Sequence, residues 1–203
     1  MEPDLGTAPF DDPGYRFEPW WPGTRVLLFG RGGEVRLQVE QLADPLTAFP
    51  ELRGVSGLLG EDRVIVDGTL MVLDADGRPD ADLLRERLAY PEVRNGEAAF
   101  VASDLAWAGG RDVTRRPFAE RLERLQSLLR ETDWCMVARG YVGEGLAVAD
   151  ALAAMGLDAM SARHLGSPYR RGPSGGAWLR LPVVPTAAPD RRPTVALIQR
   201  LGL

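Results

Sequence analysis

Hydrophobic and polar residues alternate with a period of two along several short stretches of the chain, and glycine-rich turns separate them. The runs "TRVLLFG" and "GEVRLQV" meet at "GRGG", which predicts a β-hairpin over residues 24–39. The stretch "RVIVDGTLMVLDADGRPD" predicts a second hairpin, with Asp67 and Gly68 in its tight turn. Further strands are predicted at "AAFVASDLAWAGG", "TDWCMVARGYV", "LDAMSARH" and "AWLRLPV".

A helical period appears between these strands. "DADLLRERL" predicts a short helix behind an aspartate cap, and "EGLAVADALAAMG" predicts a helix that ends at Gly156. A third helix has Pro117 in its first turn, and its apolar stripe consists of Phe118, Leu122, Leu125 and Leu129. Hairpins and helices without regular strand-helix alternation predict an α+β fold with mainly antiparallel sheets and flanking helices.

The ends of the chain differ from the middle in composition. We expect an N-terminal arm at residues 1–16, one domain at 17–184, and a proline-rich spacer with a short helix at 185–203. No apolar run reaches the roughly 18 residues of a membrane span, and the acidic N-terminus does not resemble a signal peptide. A cytoplasmic protein with no membrane contact is therefore expected. The single cysteine, Cys135, excludes an intrachain disulfide and is expected to be a buried strand thiol.

Every basic side chain other than His164 is an arginine, because the 24 Lys+Arg residues include no lysine. His164 itself is expected to be a surface or strand-end residue. Residues 163–203 have a net charge of about +6, whereas the whole chain has −5. The exposed candidates for phosphate or nucleic-acid contact are Arg170, Arg171, Arg191 and Arg192. We favour a solvated surface for them, because the acidic remainder of the chain repels DNA.

The stretch "EPWWPGTR" resembles E-P-K-x-D-G-x-R, which opens the nucleotidyltransferase (adenylation) domain of ATP-dependent DNA ligases, especially bacterial ligases linked to end joining. The residues in register with that motif are Glu18, Pro19, Gly23 and Arg25. Trp20 stands in the place of the catalytic lysine, and Pro22 stands in the place of the aspartate.

Three further motifs resemble the family in the same order. "EQLADPLTAFPEL" has Glu40 in the place of a nucleotide-contacting arginine. "VDGTLMVLD" keeps Asp67 and Gly68 but has Thr69 in the place of a metal-associated glutamate. "VASDLAW" has Ser103 in the place of the aromatic residue that stacks on adenine in the family.

The segment "GLDAMSARHLGSPYRRGPSGGAWLRLPV" resembles the last motifs of the family. Asp158 replaces a glutamate, Arg163 and Arg180 replace two lysines, and Pro182 replaces a third lysine. The resemblance therefore extends from about residue 17 to residue 182. It implies the DNA ligase adenylation-domain (ATP-grasp-like) fold, with no counterpart of the OB-fold domain that follows in the family.

The substitutions predict that the ligase reaction is lost. A ligase of this family forms a covalent lysyl-AMP, which needs an amine nucleophile, and an indole N–H is only a hydrogen-bond donor. Arginine keeps a positive charge but does not deprotonate to attack a phosphate. We expect a vestigial nucleotide pocket with no bound cofactor or metal, and an indole of Trp20 or Trp21 buried in it.

Three functions are compatible with these residues. The favoured one is a catalytically inactive ligase-like module that binds or regulates a protein partner, such as a DNA-repair factor. The second is a non-covalent nucleotide or nucleic-acid binder that uses Arg25, Arg163 and Arg180 on phosphate. The third is an enzyme with altered, metal-dependent chemistry, with a metal on Asp67, Asp104 and Asp158. The sequence also leaves open whether the chain forms a homo-oligomer.

Overall fold

The strands form two sheets, each built from its own chain segments. The computed structural model describes residues 1–40 and 42–186 together with residues 194, 195, 198 and 202. Met1–Trp20, Arg115–Ala119 and Ala138–Leu203 form the first unit, and Trp21–Thr114 and Glu120–Val137 form the second. The domain limits expected after residues 16 and 184 stay predictions.

The elements follow one another without regular strand-helix alternation. In chain order the strands are β1 (Asp4–Leu5), β2 (Tyr15–Pro19), β3 (Thr24–Arg31), β4 (Glu34–Gln38), β5 (Val64–Leu73), β6 (Glu97–Ala108), β7 (Arg111–Asp112), β8 (Cys135–Val137), β9 (Tyr141–Val142), β10 (Ala159–His164) and β11 (Trp178–Pro182). The helices are α1 (Pro45–Ala48), α2 (Ala81–Ala89), α3 (Phe118–Leu128) and α4 (Gly145–Ala154), with a 3₁₀ helix at Pro50–Leu58. The predicted α+β class, with mainly antiparallel sheets, is confirmed.

The first unit contains a five-stranded sheet in the order β1-β11-β10-β2-β9. Strand β10 lies in the middle and pairs antiparallel with β11 and β2, whereas β1 joins β11 in parallel. Phe17, Met160 and Ala162 are fully buried, and α4 contacts β2 and β10. The predicted strands on either side of the glycine-rich loop at 165–177 are thus confirmed as the antiparallel pair β10–β11.

The N-terminal arm is held on this sheet by its acidic side chain. The Asp4 carboxylate accepts hydrogen bonds from the Gly176 N–H (2.7 Å) and the Ser174 hydroxyl (2.6 Å). These hydrogen bonds favour the charged carboxylate and so lower the pKa of Asp4, and the bond from the Gly176 N–H has the largest effect. The arm therefore fixes the end of the loop between β10 and β11.

The second unit contains a six-stranded sheet in the order β4-β3-β5-β6-β7, with β8 parallel to β6. Its core includes Leu28, Leu70, Phe100 and Leu105, none more than 1% exposed. The predicted hairpin is confirmed as β3–β4, which turns at two glycines with positive φ, residues 32 and 33. Two left-handed residues in a two-residue loop are typical of a type I′ turn.

The predicted helices are also present. The Asp80 side chain accepts hydrogen bonds from the N–H groups of Asp82 and Leu83, so it caps α2 as expected. All four residues of the apolar stripe on α3 are buried, and Pro117 directly precedes the helix. Gly156 has a φ of 73° just after α4, which fits the expected helix stop.

The second predicted hairpin is wrong. Asp67 and Gly68 lie inside β5, which runs straight through ten residues, and the strand has a register shift between them. A Cβ on Gly68 would come within 2.5 Å of the Val101 carbonyl and 2.6 Å of the Phe100 ring. This glycine therefore permits a close approach of β6, and no turn is made.

The strand predicted at "TDWCMVARGYV" is also wrong, because the stretch forms two short strands in different sheets. β8 belongs to the second unit and β9 to the first. Gly140, between them, passes so close to the backbone of Phe17 that a Cβ would clash with its carbonyl. The chain leaves one sheet before it enters the other.

Three smaller expectations concern single positions. Cys135 is fully buried in β8, as predicted, and burial raises its thiol pKa to about 12. His164 is exposed at the end of β10, also as expected. Val195 and Ile198 are helical and buried, while the rest of the predicted C-terminal helix lies outside the described residues. Among the described helices, none is long and apolar enough to cross a membrane.

A fully buried ion pair joins β6 to α3 in the second unit. The Arg121 guanidinium donates to both oxygens of Asp104, at 2.8 and 2.9 Å, and both side chains have zero exposure. The Leu105 N–H also donates to Asp104, at 2.7 Å. Because a buried charge without its partner is strongly unfavourable, each residue requires the other.

We predict that Asp104→Ala lowers the free energy of unfolding by about 3–5 kcal/mol, because it leaves the Arg121 charge buried and unpaired. Urea denaturation followed by circular dichroism measures this change. Arg85→Ala is the control, since it removes an exposed pair with Asp82 and should change stability little. Equal stability of the Asp104 variant and the wild type would contradict the prediction.

We also predict that Gly68→Ala destabilises the protein by about 1–3 kcal/mol, because the new methyl group meets the neighbouring strand. Gly57→Ala is the matched control, since a Cβ at that position has nothing within 4 Å. The same denaturation experiment compares the two variants. If both substitutions have the same small effect, the close approach at Gly68 is not a constraint.

Candidate functional site

Four of the predicted site residues come together on the sheet of the first unit: Glu18, Trp20, Arg163 and Arg180. Ser161 of β10 lies opposite Glu18 of β2 on one side and opposite Arg180 of β11 on the other. Arg163, two residues further along β10, lies opposite Trp178. Trp20 follows the end of β2, and its N–H donates to the Ala159 carbonyl at 3.2 Å.

The indole of Trp20 is packed against other residues of this unit. The Arg180 guanidinium lies 4.9 Å from the centre of the Trp20 ring, and the Trp178 ring lies 6.0 Å away, tilted by 33°. Trp20 is half-buried, whereas Arg180 is exposed. The residue in the lysine position is therefore an aromatic ring stacked with a cation.

The second cation of the group, Arg163, is enclosed. Its guanidinium lies 4.1 Å from the Trp178 ring centre and 5.4 Å from that of Phe118, and its side chain is 5% exposed. Its Nε is 3.9 Å from one carboxylate oxygen of Glu18, and the other oxygen accepts a 2.9 Å hydrogen bond from Arg16. Protein groups thus surround this charge.

Hydrogen bonding fixes the central ring. The indole N–H of Trp178 donates to the Ser161 hydroxyl at 2.8 Å, and both residues are buried. The rings and guanidinium groups form a continuous stack, which we call the arginine–aromatic ladder. Its members are Arg180, Trp20, Trp178, Arg163 and Phe118.

The remaining predicted residues of this unit lie outside the arginine–aromatic ladder. Asp158 and Pro182 are exposed, at the start of β10 and the end of β11. Arg170 and Arg171 are exposed in the loop between these strands. Arg191 and Arg192 lie outside the described residues.

In the second unit, Arg25 and Asp67 form a bidentate ion pair across β3 and β5, with distances of 2.9 and 2.7 Å. The Asp67 side chain is 4% exposed and that of Arg25 is 37% exposed. The Ser103 hydroxyl donates to the Asp67 carbonyl at 3.3 Å, and Thr69 lies opposite Arg25 in the antiparallel pair of β3 and β5. These four predicted residues are therefore neighbours.

The stretch that leads into β3 is tightly placed. A Cβ on Gly23 would clash with the Leu70 carbonyl and come within 2.6 Å of Thr69. Trp21 is buried, and no described residue accepts a hydrogen bond from its N–H. That an indole of this pair fills a vestigial nucleotide pocket stays a prediction. Pro22 is exposed, and so is Glu40, which lies two residues after the end of β4.

Of the three carboxylates suggested for a metal, Asp67 and Asp104 lie opposite each other on β5 and β6, and each is engaged by an arginine. Asp67 binds Arg25, Asp104 binds Arg121, and Asp158 is exposed in the other unit. Within the described ranges, no group of three His, Cys, Asp or Glu side chains is placed to hold a metal ion. The metal-dependent alternative thus has no cluster in the described residues to support it.

Sequence reasoning missed two partners of these residues. Arg121 lies three positions after Phe118 and four before Leu125, inside the apolar stripe of α3, and this position could have indicated a buried arginine. Arg16 and Glu18 are two apart on β2, so their side chains share one face of the strand. That spacing could have indicated their ion pair.

Comparison with curated proteins points to DNA ligases. The chain is 39% identical over 127 residues to DNA ligase C2 of Mycolicibacterium smegmatis, covering 59% of this chain and 35% of the ligase. It is 33% identical over 178 residues to a probable DNA ligase of Streptomyces avermitilis, covering 81% of this chain and 34% of that protein. It is 26% identical over 166 residues to the multifunctional non-homologous end joining DNA repair protein LigD of Mycobacterium tuberculosis, covering 82% and 21%. The chain thus spans about a third or less of the length of these relatives. No protein-family profile matches it.

Solved structures give the same relationship. A mycobacterial DNA ligase D complexed with ATP and MES superimposes with a TM-score of 0.74 over 89% of this chain and 58% of that one, at 24% identity. The ligase domain of Mycobacterium tuberculosis LigD gives 0.73 over 87% and 56%, at 25% identity. The sequence motifs, the fold and these likenesses agree, and the chain is related to the adenylation domain of ATP-dependent DNA ligases.

Proposed function

We propose that this chain is a catalytically inactive DNA ligase-like protein that acts as a binding or regulatory module in DNA repair. One observation carries the proposal: the residue in register with the catalytic lysine is Trp20, whose ring stacks on Arg180. The 203 residues contain no lysine that could replace the missing amine.

Chemistry supports the loss of the covalent step. Formation of a lysyl-AMP requires a deprotonated amine, which neither an indole nor an arginine provides. Removal of a catalytic nucleophile alone typically slows an enzyme by about 10⁶-fold. Thr69 and Ser103 add the loss of a carboxylate and of an aromatic ring at positions where the resemblance places metal and adenine contacts.

The engagement of the remaining charges supports the same proposal. Arg25 is paired with Asp67, and Arg163 is enclosed by two rings and Glu18. An incoming phosphate would have to compete with these interactions, which are strong because they are charge-assisted and partly desolvated. We therefore infer that Arg25 and Arg163 stabilise the fold through these contacts.

A role in DNA repair is proposed from the relatives. Proteins similar to this chain include a non-homologous end joining DNA repair protein, LigD. A ligase-like domain without its nucleophile retains a surface on which a repair protein could assemble. We therefore propose a protein partner from DNA repair, with nucleic-acid contact as a minor contribution.

One observation favours the alternative of non-covalent nucleotide binding. The Arg180 guanidinium is exposed while it stacks on Trp20, so it could contact a phosphate group. This contact would come from a single cation, in contrast to the several donors of a phosphate site. Arg170 and Arg171 are the described candidates for contact with a nucleic-acid backbone.

We predict that Trp20→Lys does not restore a covalent AMP adduct. The new amine would lack a carboxylate at position 69, an aromatic ring at 103 and a lysine at 163, and catalytic groups of this kind act as a unit. Intact-protein mass spectrometry under denaturing conditions, after incubation with ATP and magnesium, measures the adduct. The ligase domain of a mycobacterial LigD is the positive control.

Two results of that experiment would contradict the proposal. An AMP-sized adduct on Trp20→Lys would mean that the other groups suffice for adenylylation. An adduct on the lysine-free wild type would disprove catalytic inactivity itself. A thermal melt of the variant confirms that it is folded, so that a negative result is meaningful.

We further predict that ATP, AMP and GTP, with or without magnesium, leave the melting temperature of the wild type unchanged, because Arg25 and Arg163 are already engaged. Differential scanning fluorimetry tests this directly. A stabilisation by ATP that disappears in Arg180→Ala would favour the non-covalent alternative. Tight, salt-sensitive binding of duplex DNA in a gel shift, lost in Arg170→Ala/Arg171→Ala, would favour a nucleic-acid binder.

A further inference from the structure

A line of side chains crosses the six-stranded sheet of the second unit from its first strand to its last. Ile65 of β5 lies opposite Phe29 of β3 on one side and opposite Trp107 of β6 on the other. Phe29 in turn lies opposite Arg36 of β4, and Trp107 lies opposite Asp112 of β7. Residues directly opposite each other in antiparallel strands have side chains on the same face of the sheet. We call these five residues the cross-strand row.

The cross-strand row lies on the face of the sheet that is turned away from the core. Leu28 and Val66, whose side chains point to the opposite face, are at most 1% exposed, whereas Phe29 and Ile65 are half-buried. Trp107 is also half-buried. The solvent face of an antiparallel sheet normally has polar side chains. Three adjoining apolar side chains on such a face are typical of a surface that binds another protein.

The two ends of the cross-strand row have opposite charges. Arg36 is exposed and makes no ion pair with any residue in the described part of the chain. Asp112 is exposed too, and its carboxylate is oriented by the N–H and the hydroxyl of Thr114, which donate to it at 2.8 and 2.6 Å. The row thus reads cation, three apolar residues, anion.

We propose that a second copy of the chain packs face to face on this sheet, about a two-fold axis that runs along β5 through Ile65. β5 is the middle strand of the order β4-β3-β5-β6-β7, so the axis places β3 over β6 of the other copy, and β4 over β7. The two Ile65 side chains then meet, Phe29 meets Trp107, and Arg36 meets Asp112. Each of the last two contacts occurs twice, because the interface is isologous.

The charges select this axis over the neighbouring ones. A two-fold axis along the row would place Arg36 over Arg36 and Asp112 over Asp112 of the other copy, and like charges repel. An axis along β3 would place Arg36 over Ile65, which buries a cation against an apolar side chain. The axis along β5 gives each charged end of the row an opposite charge.

The neighbours of Ile65 on this face are compatible with the same axis. Asp67, two residues further along β5, also lies close to the axis, but Arg25 of its own chain neutralises it through two hydrogen bonds of 2.9 and 2.7 Å. Leu27, opposite Asp67 on β3, is half-buried and adds apolar surface beside Phe29. Face-to-face packing of two sheets about 10 Å apart lets side chains of this size interdigitate.

Sedimentation equilibrium from micromolar to sub-millimolar concentration tests the proposal. We expect a reversible monomer–dimer equilibrium for the wild type. Arg36→Asp and Asp112→Arg should each weaken dimerisation by about tenfold or more, because each places like charges together at two points of the interface. Arg94→Asp is the matched control, since it changes the net charge as Arg36→Asp does, at an exposed position outside the sheet.

A mixture of the two variants distinguishes this contact from a general effect of charge. In a heterodimer of Arg36→Asp with Asp112→Arg, both charged contacts join an acid and an arginine. An equimolar mixture should therefore form a dimer that neither variant forms with itself. The double variant Arg36→Asp/Asp112→Arg should dimerise like the wild type. Circular dichroism shows that each variant is folded.

A cross-link at the axis tests the geometry independently. Ile65→Cys places one thiol of each copy at the two-fold axis, so a short bis-maleimide should join the two chains in native buffer. The wild type is the background control, because its only thiol, Cys135, is fully buried. Tyr90→Cys is the control for an exposed thiol away from the sheet, and it should remain uncross-linked.

Three outcomes would overturn the proposal. A wild type that stays monomeric at all concentrations would leave the apolar face to a different protein. A dimer that is insensitive to the charge reversals, or one in which Ile65→Cys cross-links no better than Tyr90→Cys, would place the contact elsewhere. None of these outcomes bears on catalytic inactivity, because the dimer is independent of the proposed function.

Discussion

A guanidinium group keeps its charge when it is buried, and the neutralisation of buried arginines is the constraint around which both units are arranged. Arg121 is matched by Asp104, and Arg87 lies over the Phe49 ring while donating to Glu51 and to the Ala48 carbonyl. Arg163 is met by two rings and by Glu18. Each of these contacts joins elements that are distant in sequence, so the charges hold the packing in one arrangement.

The same constraint describes the surroundings of Arg163 and Arg180 in the first unit. At two of the positions where the resemblance places lysines, 163 and 180, this chain has arginines, which stack on aromatic faces more readily than lysines do. Trp20 and Trp178 supply such faces beside Arg180 and Arg163. A nucleotide normally brings its own ring and its own negative charge to a pocket. In this chain, the Trp20 ring lies against Arg180, and the Glu18 carboxylate lies beside Arg163.

Sequence reasoning predicted the elements whose signals are local. The glycine turn of β3–β4, the Asp80 cap of α2 and the stripe of α3 each depend on residues within a few positions. Sequence reasoning failed where a residue is determined by a neighbour that is distant in sequence. An Asp-Gly pair is typical of a turn, but Gly68 lies inside a strand and permits the close approach of Phe100 and Val101. Among the site residues, the substitutions could be read from the motifs. Their partners could not, because the pairing of Arg121 with Asp104 depends on tertiary packing.

The single thiol of the chain lies on a strand that is held in parallel pairing at the interior of the second unit. Cys135 pairs with Phe100 of β6, and its sulfur has no solvent exposure. A thiol reagent can react with it only when β8 has separated from the sheet, and the thiolate forms readily only in that open state. The rate of reaction with a thiol reagent in native buffer therefore measures how often this part of the core opens, and no cysteine has to be introduced for the measurement.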